Sequence, residues 1–134
     1  MIEGLTDKVV IVTGGAHGIG KAYCSAFTKA GARVVIADID KLGAESAANE
    51  IRNASPGEPK SPPHPLPLYV DVSNEAATKE MAARTIDRFG RIDVLINNAA
   101  VFSVVPMNRG RIESIDPEEW DRLMAVNLRG LFFC

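Results

Sequence analysis

Four short apolar runs punctuate the chain: Val9–Thr13, Arg33–Asp38, Leu68–Val72 and Val94–Asn98. Each is rich in β-branched residues, and none alternates polar with apolar positions as a strand with one wet face does. Near-continuous apolar strands are what a parallel sheet covered on both faces requires, so each run predicts a buried strand. Between them, Ile19–Lys29, Lys41–Ala54 and Asn74–Phe89 carry apolar positions three and four residues apart, which predicts helices. Gly31 and Gly90 stand where the first and third of these should stop. The resulting order, βαβαβαβ, predicts an α/β fold with a doubly wound parallel sheet.

A fourth helix is predicted to start at Asp116-Pro117-Glu118-Glu119 and to run to the last residue. Asp116 suits the cap, Pro117 the first turn, and Glu119 the place of a capping-box acid. Trp120, Leu123, Met124, Val126, Leu128, Leu131, Phe132 and Phe133 give this helix more apolar surface than one covered face needs. Ser55 to Pro67 holds six of the eight prolines and reads as an exposed loop, since proline lacks the N–H donor a continuing helix needs. There is no internal repeat and no domain boundary, and residues 1–134 read as one domain.

Composition narrows the partners. Fifteen basic against seventeen acidic side chains give a formal net charge of −2, so no general positive field draws in nucleic acid or an anionic bilayer. No apolar stretch approaches the ~20 residues of a membrane span, and MIEGLTDK has neither part of a signal peptide, which predicts a cytoplasmic protein. Cys24 and Cys134 stand far apart in no metal-type spacing and read as small apolar residues, so no metal site is expected.

The candidate chemistry lies in VVIVTGGAHGIGKA, residues 9–22. One reading is a triphosphate-binding loop, but that motif needs Ser or Thr after G-K for magnesium, and Ala22 stands there. The other is a dinucleotide turn, Thr13-Gly14-x-x-x-Gly18-x-Gly20, between the first strand and the first helix. Gly14 allows the tight turn, Gly18 lets backbone approach a pyrophosphate, Gly20 permits close helix–strand packing, and the helix N-terminus offers N–H groups. The second strand ends in Asp38, 18 residues past Gly20 and close to the offset expected of an acid that binds the adenosine ribose. A carboxylate there accepts bonds from ribose hydroxyls and repels a 2′-phosphate, which favours NAD over NADP. Asp40, beyond the strand, reads as a solvated residue or a helix start, and His17 as a loop residue.

These residues resemble the short-chain dehydrogenases/reductases, and the likeness covers the chain except for the proline-rich loop. Thr13, Gly14, Gly18 and Gly20 match the family's T-G-x-x-x-G-x-G, Asp38 its acid, and Asp71-Val72 its Asp-Val pair at the third strand. Asn97-Asn98-Ala99-Ala100 looks like its N-N-A-G, with alanine in the last place. The resemblance implies a Rossmann-type doubly wound sheet, here partial, with about four strands in the order 3-2-1-4. It further implies that Asp71 contacts the adenine edge, while Ile19 and the backbone of Asn97 to Ala99 approach the nicotinamide side. Asn127 matches the helical asparagine of the family's Asn-Ser-Tyr-Lys tetrad, where it holds a water on a proton path.

The family interconverts alcohols and ketones by hydride transfer, with a tyrosine as general acid/base and a lysine four residues later. Here Phe27 stands four places after Tyr23 and Ser73 four places after Tyr69, so that pair is absent. Ser103 and Ser114 precede the asparagine helix, whereas the family's serine follows it. The expectation is therefore the cofactor-binding N-terminal part of an NAD-dependent enzyme, inactive as given, with an unpaired edge on strand four. The complete protein is expected to be a dimer or tetramer. A non-catalytic dinucleotide-binding module or sensor is the alternative.

Overall fold

Val9, Val10, Ile11 and Val12 are at most 2% exposed in the computed structural model, although successive side chains of a strand point to opposite faces. Both faces of the sheet are therefore covered. The structure describes residues 4–54, 64–101 and 110–134. Its elements run β1 (Val9–Thr13), α1 (Gly18–Lys29), β2 (Arg33–Asp38), α2 (Lys41–Asn53), β3 (Leu66–Tyr69), α3 (Glu75–Phe89) and β4 (Val94–Ile96). The strands form one parallel sheet in the order β3-β2-β1-β4, as expected from the resemblance. Register pairs Val9 with Arg33 and Thr13 with Ala37, so β1 and β2 end level at their C-terminal edge.

Alternate residues feed two cores. Val10, Val12, Val34 and Ile36 meet Cys24 of α1 and Ala44, Ala47, Ala48 and Ile51 of α2 on one side. Val9, Ile11, Val35 and Ala37 join Leu68 of β3, Val70 just after it, and Met81 and Phe89 of α3 on the other. Burying each valine or isoleucine contributes about 1.5–3 kcal/mol, and the runs are continuous because neither face can be left polar. Cys24 is buried as a small apolar residue, and burial pushes its thiol up to about 12.

The helices α1 to α3 lie within one residue of the sequence expectation, and the larger differences are in the third and fourth strands. The third strand is Leu66–Tyr69 rather than Leu68–Val72, and Pro67 lies inside it, paired with Ile36. The edge position tolerates proline, because only one side of an edge strand takes part in the ladder. Residues 55–63 of the proline-rich loop lie outside the described residues. The fourth strand stops at Ile96, leaving Asn97 and Asn98 beyond the ladder.

The last helix is not uniform. A helical turn at Ile112–Ser114 precedes α4 (Pro117–Met124), whose first turn is capped by the Asp116 carboxylate on the N–H of Glu118 at 2.8 Å. A π-helical segment over Ala125–Arg129 then leads without a break into α5 (Gly130–Phe133). Periodicity near 3.6 cannot reveal one widened turn, which is why the sequence predicts a plain helix from Asp116 to the end. Trp120, Leu128, Leu131 and Phe132 are exposed, while Val126 and Cys134 pack on the α3 side of the sheet. Among the described residues no helix is long and apolar enough to cross a membrane.

Candidate cofactor site

The turn after β1 is built to leave backbone amides free. Asp40, Asn74 and Asp116 cap α2, α3 and α4 with their side chains, but His17 at the start of α1 does not cap with its own. The first N–H groups of a helix have no partner within it, so α1 presents unsatisfied donors and a partial positive charge at Gly18 to Gly20. A methyl group at Gly20 would overlap the carbonyl oxygen of Gly14, so this residue must be glycine for helix and loop to meet. Gly18 has a φ of +51° with open space where a side chain would stand. Such a cradle, open, lacking a side-chain cap and rich in donors, fits a diphosphate.

Two stitches hold this loop. On one side, Gly15 N–H donates to Ala37 O at 3.2 Å, and Ala16 N–H donates to Asp38 Oδ2 at 3.0 Å. Asp38 Oδ1 accepts the N–H of Asp40 at 2.9 Å, so its carboxylate is oriented by the backbone on both sides of the turn. On the other side, Thr13 Oγ1 accepts the N–H groups of Asn98 and Ala99 at 3.0 and 3.1 Å. The Asn98 side-chain amide donates to the carbonyl oxygens of Thr13 and Gly14 at 3.1 and 3.0 Å. Thr13, Gly14, Gly18, Ile19, Gly20, Asp38 and Ala99 thus share the C-terminal edge of the sheet, where open α/β sheets bind ligands. Asn98, from which the resemblance implies only a backbone role, is the residue whose side chain ties strand four to the loop. Asn97 is exposed, and Ile19 is 69% exposed beside the free amides.

Asp71 and Val72 continue from β3 at the same edge, since Val70 N–H donates to Asp38 O at 2.9 Å. The Asp71 carboxylate accepts from the N–H and hydroxyl of Ser73 at 2.9 and 2.6 Å, which makes it a turn-forming residue ahead of α3. Val72 is buried, and a methyl on Gly130 would come within 2.9 Å of its side chain, so the final helix packs directly against this edge. Asn127 sits in the π-helical segment and pairs edge-on with the main chain of Val101. Its Oδ1 accepts the Val101 N–H at 2.7 Å, and its Nδ2 donates to the Val101 carbonyl at 3.2 Å. Ser103 and most of the segment Val101–Arg111, residues 102–109, lie outside the described residues. Among the described residues no group of three or more histidine, cysteine, aspartate or glutamate side chains is placed to hold a metal.

The family model described as short chain dehydrogenase matches residues 8–134. The chain belongs to the short-chain dehydrogenase family. A sorbitol dehydrogenase of Cereibacter sphaeroides is 38% identical over 129 residues, 96% of this chain and 44% of that relative. A 3-ketoacyl-(acyl-carrier-protein) reductase of Brucella melitensis, solved with NADH, superposes with a TM-score of 0.81 at 35% identity over 97% of this chain and 48% of its own. Levodione reductase gives a TM-score of 0.83 at 32% identity, covering 96% of this chain and 46% of that one. The chain thus spans a little under half the length of these relatives. For a short-chain dehydrogenase, the cradle at α1 and the carboxylate at the end of β2 fit a nicotinamide dinucleotide.

Proposed function

We propose that residues 1–134 form the N-terminal, NAD-binding part of an NAD-dependent dehydrogenase that interconverts a small alcohol and its ketone. The observation that carries the reading is the Asp38 carboxylate, held by Ala16 and Asp40 at the edge where the uncapped α1 offers its amides. In this reading Asp38 accepts the adenosine ribose hydroxyls and disfavours a 2′-phosphate by charge repulsion, which selects NAD over NADP. Thr13, Gly14, Gly18 and Gly20 shape and supply the diphosphate cradle. Asp71 and Val72 flank the adenine, and Ile19, Asn97 and Ala99 face the nicotinamide side. Nicotinamide, when bound, supplies the hydride acceptor or donor.

Asn127 is assigned to the proton path, which its grip on Val101 would hold beside the nicotinamide end of strand four. The tyrosine–lysine pair is not among these residues, so this stretch alone is expected to turn over no alcohol. Sorbitol dehydrogenase and galactitol 2-dehydrogenase among the relatives support a small hydroxylated substrate. The complete protein is proposed to be a cytoplasmic homo-oligomer. The test is a crystal soaked with NAD: the reading predicts ribose oxygens within hydrogen-bond distance of Asp38, and a vacant crevice or a distant ribose would end it.

A further inference from the structure

Gly43 is an odd choice for the first turn of α2, because glycine is a poor helix former and its φ is not in the left-handed region. The reason lies beside it: a methyl there would overlap the Asp40 carboxylate and come within 2.7 Å of His17 Nε2. These two side chains meet across 23 residues, with His17 Nε2 at 2.7 Å from Asp40 Oδ2. Asp40 divides its oxygens, since Oδ1 accepts the Gly43 N–H at 2.9 Å while Oδ2 takes the imidazole. The Gly43 N–H, together with His17, holds the Asp40 carboxyl below the usual carboxylate range, so it meets the ring as an anion.

We propose that His17 is a positioning residue of the dinucleotide site, acting through Asp40 to clasp the diphosphate loop onto the start of α2. The inference rests on the dinucleotide reading given above. His17 precedes Gly18, the first residue of the amide cradle, and Asp40 follows the ribose acid by two residues. Ala16 is bonded to Asp38 and His17 to Asp40, while Asp38 in turn accepts the N–H of Asp40. Two successive loop residues are thereby tied to two acids of a single turn. The clasp fixes the separation between the amides that face the diphosphate and the carboxylate that faces the ribose. Both side chains are exposed, at 69% and 47%, and an exposed pair contributes little to folding. Its effect is therefore expected in affinity rather than in stability.

The test is calorimetric titration of NAD and of ADP-ribose into the wild type, His17→Ala, His17→Gln, Gly43→Ala and the double variant His17→Ala/Gly43→Ala. His17→Ala and Gly43→Ala should each weaken both ligands by the same factor, about two- to fivefold, and the double variant no further. His17→Gln, which keeps an N–H for Asp40, should regain most of the loss. Gly43→Ala should melt close to wild type, because the helix preference of alanine offsets the strain its methyl puts on the Asp40 cap while it evicts the imidazole. Losses that multiply in the double variant, or a Gly43→Ala protein that binds like wild type, would overturn the clasp and leave the dinucleotide reading standing. A wild type that bound neither ligand would overturn both.

Discussion

The side-chain amide of Asn98 donates to the carbonyl oxygens of Thr13 and Gly14, joining the exit of β4 to the turn that opens the cofactor cradle. Two consecutive main-chain carbonyls, one at the end of β1 and one in the turn after it, accept from that one nitrogen. Asn98→Ala should cost about 1–3 kcal/mol in chemical denaturation, since both acceptors lose their partner. Asn98→Asp should cost more, because it sets a carboxylate against two carbonyl oxygens. Equal midpoints for wild type and both variants would refute the role.

The two loop glycines serve different ends, and alanine separates them. At Gly20 a methyl overlaps Gly14 O, so the helix must move off the loop. At Gly18 a methyl meets nothing and only the left-handed backbone is strained, which costs about 1–2 kcal/mol. Titration with NAD should show Gly20→Ala losing binding far more than Gly18→Ala. The reverse order would place the ligand elsewhere.

Acid should weaken the fold through Asp93, at the opposite edge of the sheet from the cofactor site. The Val9 N–H at 2.9 Å, then Arg91 and Lys8, hold its carboxyl below the usual range. Because the folded value is depressed, the stabilisation is complete above the unfolded carboxylate value of about 3.9 and is lost as pH falls through the folded one. Urea midpoints at neutral and acid pH should therefore converge for wild type and Asp93→Asn as pH drops below about 4. Asp93→Asn should bind NAD normally, and parallel pH curves for the two proteins would contradict the assignment.

The cysteines should differ in reactivity. Cys24 has no exposed surface and a thiol pushed up to about 12, whereas Cys134 is half-buried with a smaller upward shift. A disulfide reagent at pH 8 should modify Cys134 first and reach Cys24 only with unfolding. Rapid modification of both in the native protein would contradict the packing of α1.

Local pattern carried most of the fold. The apolar runs of β1 and β2 match the observed strands residue for residue, since burial on both faces leaves no other composition open to them. Asp38 and the glycines were legible because their spacing is itself the geometry of a strand–turn–helix unit. What no local window shows is the pairing of side chains with distant partners. Asn98 acts across 85 residues, His17 across 23 and Asn127 across 26, and no window of sequence shows which of two asparagines turns inward. Pro67 reads as loop in the sequence because its edge position, which excuses the missing N–H, is a property of the sheet and not of the run.

In the proposed complex, amides at the start of α1 hold a diphosphate while Asp38 selects an unphosphorylated ribose. Parallel titration of NAD and NADP into wild type and Asp38→Ala tests it directly. The wild type should bind NAD more tightly than NADP, with Asp38→Ala weakening NAD about tenfold and narrowing its gap to NADP. A wild type that prefers NADP, or an Asp38→Ala protein with unchanged preference, would contradict it.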